Sequence, residues 1–176
     1  PIREAIRMLE QEGLAVTMPR KGAEVAKMTL KDMEDVLEVR EALDELAAKI
    51  ACKKISDEQL ANLKTIKDEF KRSMDSGDVK KIAEEDVKFH DAIYEATNNA
   101  KLVSMMNNIR EQMYRYRVEY LKDPKNYPRL VKEHDAIDRA LEARNMELVT
   151  TEMHTHVANQ AVAVKAVIQK QDEEKK

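Results

Sequence analysis

Residues 29–50 read TLKDMEDVLEVREALDELAAKI, and this stretch decides the fold class. Thr29 suits a helix N-cap, with Asp32 three residues on in the place of the reciprocating acid. Beyond it Met33, Val36, Arg40, Leu43, Ala47 and Ile50 recur at alternating three- and four-residue steps. That period puts them on one face of an α-helix.

The same spacing returns to the end of the chain. Ser56-Asp57-Glu58-Gln59 opens a second helix with Leu60, Leu63, Ile66 and Phe70 as its stripe, closing near Gly77. A third runs from about Asp78 to Thr97 with Val79, Ile82, Asp86, Phe89, His90 and Ile93 inward, and Asn98-Asn99 breaks it. Leu102, Met106, Ile109, Met113, Tyr116 and Tyr120 predict a fourth. After the loop Asp123–Pro128, a fifth places Leu130, His134, Ile137 and Leu141 inward, and a sixth Val149, Met153, His156, Gln160 and Ala163. Six helices on short loops predict an all-α bundle of mostly antiparallel neighbours.

Composition agrees. Of 176 residues, 37% are charged and only 3 are Gly, 4 Pro and 2 Phe, with no Trp. An all-β sandwich, which needs many turns and aromatic strands, is excluded on that ground. A formal charge of -3 excludes a protein that coats nucleic acid by charge alone. The lone Cys52 cannot form an internal disulfide, and its apolar neighbours predict a small buried residue. No run of 18 apolar residues and no secretory signal appear, so the expected compartment is the cytoplasm, with no membrane contact.

The first 27 residues differ. Ile2, Ala5, Ile6 and Leu9 mark one face of a short helix, and Gly13 suits its left-handed cap. Leu14–Met18 and Ala23–Ala26 flank Pro19-Arg20-Lys21-Gly22, which predicts a β-hairpin. A helix and a hairpin this small cannot bury a core, so the chain is expected to start inside a domain. The divisions are then 1–27, a bundle at 28–171 and a charged tail at 172–176. The first segment holds 5 Lys or Arg against 4 Asp or Glu, a slight basic bias.

The polar residues that interrupt the stripes carry the most information. Asp86, His90, His134 and His156 fall on or beside inward faces of three helices. Asp86 and His90, four apart, share a helix face. Each alone reads as a surface hydrogen bond or a satisfied core histidine. Together at a bundle centre, three imidazoles and a carboxylate would satisfy one another through a divalent metal. His154 is expected to point away into solvent. Arg40 on a seam demands an anion: either an internal acid such as Asp44 or a bound carboxylate or phosphate. Arg110 and Arg117, near the fourth stripe, are either solvated flanks or serve the same end. No G-x-S-x-G, H-E-x-x-H, glycine-rich phosphate loop or C-x-x-C occurs. Three functions stay open on these residues: a metal-dependent sensor, a helical-bundle metalloenzyme acting on a small organic acid, and an interaction domain with structural histidines.

Pro1-Ile2-Arg3-Glu4-Ala5-Ile6-Arg7 through Gly13-Leu14, followed by Pro19-Arg20-Lys21-Gly22-Ala23, resembles the recognition helix and wing of GntR-family winged helix-turn-helix regulators. Glu38-Val39-Arg40-Glu41-Ala42-Leu43, Asp86-x-x-x-His90, Asn99-x-x-Leu102, Glu133-His134-x-x-Ile137 and Met153-x-x-His156 resemble the FCD effector domain of the FadR subfamily. Six helices resemble its VanR-type branch. The resemblance covers essentially the whole chain and implies a non-enzymatic, ligand-responsive transcriptional regulator, usually a repressor and a homodimer. It implies that Asp86, His90, His134 and His156 hold a divalent metal, zinc foremost, with nickel or manganese also suited. It implies further that a small organic acid binds there, with Arg40 looking inward to the pocket; Arg110 and Arg117, from their place near the fourth stripe, are the further effector-binding candidates. Arg3 matches an arginine that reads the major groove of operator DNA, Lys21 and Gly22 match the wing tip, and Arg7 matches a phosphate contact. The two helices that precede the recognition helix in the family, and that helix's own start, are not in this sequence.

Overall fold

The computed structural model describes residues 1–27 and 29–173. Among the described residues, eight α-helices and one hairpin follow in order: α1 Ile2–Gln11, β1 Ala15–Met18, β2 Gly22–Val25, α2 Leu30–Lys54, α3 Asp57–Ser73, α4 Val79–Ala96, α5 Ala100–Asn108, α6 Arg110–Leu121, α7 Tyr127–Glu142 and α8 Met146–Glu173. The last three residues of the predicted tail lie outside the described residues, as does Met28 at the predicted boundary between the two units.

The caps are those the residue types favour. Thr29 accepts from the Asp32 amide, and Ser56 and Gln59 form a reciprocal capping box. Asp78 caps α4 and Asn99 caps α5 through their side-chain oxygens. Gly13 follows α1 at φ +69°, where the Leu14 amide reaches back to the Leu9 carbonyl at 2.8 Å. Arg20 at φ +65° and Gly22 at φ +94° turn the hairpin, so the connection is three residues and Gly22 pairs with Met18.

One expected helix is two. The fourth stripe continues in register, but the backbone breaks at Ile109 (φ -108°, ψ 3°) into α5 and α6. Asn107 and Asn108 precede the break, and asparagine side chains compete with helical backbone bonds. Asn107 spends its carbonyl on Arg110 at 2.6 Å, which ties the two helices across the kink. The bundle therefore has seven helices, with α5 and α6 standing where one was expected. Pro128, predicted as loop, lies in the first turn of α7, where its missing N–H costs nothing.

Long α2 and α8 run against each other, and α4, α6 and α7 close around them. The apolar core has three parts. Leu63, Phe89, Ile137 and Met153 fill one end; Met33, Phe70, Ile82 and Tyr120 the other; Leu43, Tyr94 and Met106 seat α5. Cys52 is buried, as expected. Between these parts lies a fully enclosed set of polar side chains.

Candidate metal and effector centre

α4 carries Asp86 and His90 one turn apart, α7 carries His134 and α8 carries His156. All four are at most 1% exposed. The four residues read from the helical stripes do meet. Ring nitrogens of the three histidines all lie within 4.8 Å of one another. His90 Nε2 is 3.2 Å from His156 Nε2. His134 Nε2 is 3.1 Å from Asp86 Oδ1, at angles that make no hydrogen bond. Asp86 Oδ2 is 3.9 Å from His90 Nε2.

Charge state follows from burial. Burial pushes the Asp86 carboxyl up, but the Arg117 guanidinium and the His134 ring outweigh it and hold it well below the usual carboxylate range. Burial pushes His90 well down and His134 down, with Asp86 opposing in both cases. At neutral pH the centre is one carboxylate among imidazoles that are neutral at His90 and His134.

The donor set fits a divalent ion. Ligand atoms bonded at about 2.0–2.2 Å to one ion lie about 2.8–3.6 Å apart at tetrahedral or octahedral angles. The 3.2 and 3.1 Å separations fall in that range. His134 supplies the sharper test. It is buried between Phe89, stacked on its ring at 4.0 Å, and Phe70 at 4.5 Å, and neither ring nitrogen has a hydrogen-bond partner. A buried polar group without a partner costs free energy, and an ion held by Nε2 would remove the share of that cost that falls on Nε2.

Two residues not read as site residues in the sequence border this centre, Glu133 anchoring one nitrogen of His156 and Gln160 lying against the other. Glu133 Oε2 lies 2.9 Å from His156 Nδ1. A carboxylate there fixes the tautomer, so Nδ1 donates and Nε2 turns its lone pair to the centre. Gln160 stands on the same face of α8, one turn on. Its amide nitrogen is 3.1 Å from His156 Nε2, and its carbonyl accepts from Arg40 at 2.7 Å. Glu133 directly precedes a stripe histidine and Gln160 interrupts the α8 stripe; both signals were visible.

The three arginines expected to grip an effector are all anchored by acids. Arg40 is 2% exposed and bonds Asp44 Oδ2 at 3.0 Å, the internal partner weighed for it; its Nη2 is buried with no partner. Tyr94 donates to the other Asp44 oxygen at 2.6 Å, and burial with that carboxylate pushes its hydroxyl well above 10, so it keeps the proton it donates. Arg117 is buried and bonded through Nε to Asp86, not a solvated flank. Arg110 is part-exposed and clasps Asp91 through both Nη atoms. Arg110, Asp91, Tyr94, Arg117 and His90 line a slot of about 10 Å³, room for about one water. His154 is half-exposed on another face of α8, as expected, yet lies 3.0 Å from both Glu41 and Glu45.

The DNA-reading candidates all lie on α1 and the hairpin. Arg3, Arg7, Lys21 and Gly22 are all exposed, and α1 buries none of its residues. Arg7 pairs with Glu4 at 2.7 Å.

The FCD domain family matches residues 35–159, and the chain belongs to that family of GntR-type transcriptional regulators. It is 23% identical over 170 residues to the HTH-type transcriptional regulator YdhC of Bacillus subtilis (strain 168), covering 96% of this chain and 76% of that one. It is also 23% identical over 159 residues to the gluconate operon transcriptional repressor of Bacillus licheniformis, covering 88% of this chain but only 65% of the relative's length. Among solved structures, E. coli McbR/YncC superposes with a TM-score of 0.81 at 20% identity, over 96% of this chain and 83% of that one. A GntR family regulator from Pseudomonas syringae pv. tomato str. DC3000 gives 0.67 at 23% identity, over 100% and 73%. These relatives are named as regulators, not enzymes. No helix among the described residues is long and apolar enough to cross a membrane.

Proposed function

We propose that this chain is the sensing bundle, with part of the DNA reader, of a cytoplasmic homodimeric regulator, in which a divalent ion and a small carboxylate effector set how tightly operator DNA is held. The observation that carries the reading is the convergence of Asp86, His90, His134 and His156 with two orphaned buried atoms, His134 Nε2 and Asp86 Oδ1. The ion that would be held there, zinc foremost, supplies positive charge and open coordination positions. Arg40, with a spare buried Nη2, and Arg110 and Arg117, lining the adjacent slot, provide guanidinium groups for an acid's far end. The slot admits only about one water, so an acid enters only as α6 moves from α4. An effector that binds the opened shape more tightly shifts the population toward it, by a coupling of about 1–3 kcal/mol in typical cases. Arg3, Lys21 and Gly22 face the DNA, with Arg7 toward phosphate.

The test is zinc calorimetry on chelator-treated protein. The expected result is one zinc per chain, lost in His90→Ala. Less than a tenth of an ion per chain at saturating zinc rejects the sensing centre. A panel of small mono- and dicarboxylates, screened by melting temperature on zinc-loaded protein, then identifies the effector class; a panel with no effect at millimolar concentration rejects the acid.

A further inference from the structure

Helix α6 touches both halves of the molecule. Toward the centre, Arg117 engages Asp86. At its start, Arg110 clasps Asp91 of α4 at 2.8 and 3.0 Å. Toward the N-terminal unit, Gln112 Nε2 donates to the Glu12 carbonyl at 2.5 Å, and Arg115 Nη2 donates to the Ala26 carbonyl at 2.6 Å. Glu12 caps the C-terminus of α1, and Ala26 follows β2 directly. These two bonds therefore hold the end of the exposed helix and the end of the hairpin.

Among the described residues, no helix or strand of the N-terminal unit makes an extended contact with the bundle. A cavity of about 780 Å³ lies beside these bonds, bounded by Val16, Glu24 and Ala26 on one side and Asp32 and Tyr116 on the other. The bonds from Gln112 and Arg115 are thus side-chain links from α6 to the N-terminal unit. Gly13 reflects the closeness: a Cβ there would lie 3.4 Å from Gln112 Nε2. Arg115 and Arg117, two residues apart, project to nearly opposite sides of α6.

We infer that α6 is the relay between the polar centre and the DNA-reading unit, and that Gln112 and Arg115 are the positioning side chains that pass its displacement on. The proposed sensing function supplies the ligand that moves α6; the mechanical link is tested without that ligand.

The test is a cycle of four full chains: parent, Arg117→Lys, Gln112→Ala/Arg115→Ala, and the triple variant, read by hydrogen exchange of peptides covering residues 9–26. Gln112 and Arg115 are half-buried and outside the core, so their truncation spares the fold. The expected result is that Arg117→Lys speeds exchange in 9–26 about fivefold or more in the parent background, and less than twofold once Gln112 and Arg115 are gone. No change in the parent, or the same change in both backgrounds, overturns the relay. Should Arg117→Lys fail to fold, Arg110→Ala perturbs the part-exposed end of α6 and is read against the same criteria. Zinc calorimetry on the parent keeps the two readings apart: absent binding sinks the sensing centre and leaves the cycle to decide the relay alone.

Discussion

Replacing Arg40 by methionine isolates what the buried ion pair does. Arg40 and Asp44 are 2% and 0% exposed, and their 3.0 Å contact is the charge partner of Asp44. Methionine keeps most of the apolar stem and removes the guanidinium. Asp44 is left with only the Tyr94 hydroxyl at 2.6 Å, and the Gln160 carbonyl loses its donor. Breaking one side of a buried pair costs about 3–5 kcal/mol, because the remaining charge stays desolvated. For a chain of this size each kcal/mol moves the melting temperature by about 2–4 °C, so a fall of about 6–20 °C is expected. Urea titration followed by circular dichroism at 222 nm gives the free energy, and an unchanged slope shows that the fold is retained. The control is Arg40→Met/Asp44→Asn, which removes the stranded charge at nearly constant shape. It should recover more than half of the loss. A double variant no more stable than the single refutes the account, because the cost would then come from lost packing.

Zinc at a hundredfold excess over its dissociation constant should stabilise the chain by about 2.7 kcal/mol, a rise of about 5–11 °C that EDTA reverses; a melting temperature indifferent to both rejects a filled centre. Glu133→Gln should weaken zinc binding about 10–100-fold by calorimetry, because the ring of His156 loses its anionic anchor. Phe89→Ala should cost about 3–5 kcal/mol in urea, since the ring is fully buried and covers His134 at 4.0 Å. Burial, helped by Asp32 and opposed by Arg115, pushes the Tyr116 hydroxyl up to about 12. The unfolded chain therefore ionises first, and this group's stability is full below about pH 10 and lost as pH rises through 12; the difference in 295 nm titrations between the parent and Tyr116→Phe isolates it.

What was legible in the sequence, and what was not, divides along one physical line. Period and caps depend on residues a few positions apart, so Thr29 and Ser56 announced their helices, while Asn99, read as a break, turned out to cap the next one. The stripes brought Asp86, His90, His134 and His156 inward, because a helix face is set by local spacing alone. Pairing across helices depends on rotation and depth that spacing does not encode. Arg117 was weighed as a solvated flank, yet α6 turns it onto Asp86, while Arg110, about two turns earlier, reaches Asp91. The break at Ile109 was not legible either: the stripe keeps its register across it, and its only local trace is Asn107-Asn108, a pair that straight helices also tolerate at modest cost. Nor does spacing show that Gln112 and Arg115 meet Glu12 and Ala26, about a hundred residues away in the chain. Contacts that distant depend on how whole helices dock, which local residue preference does not carry.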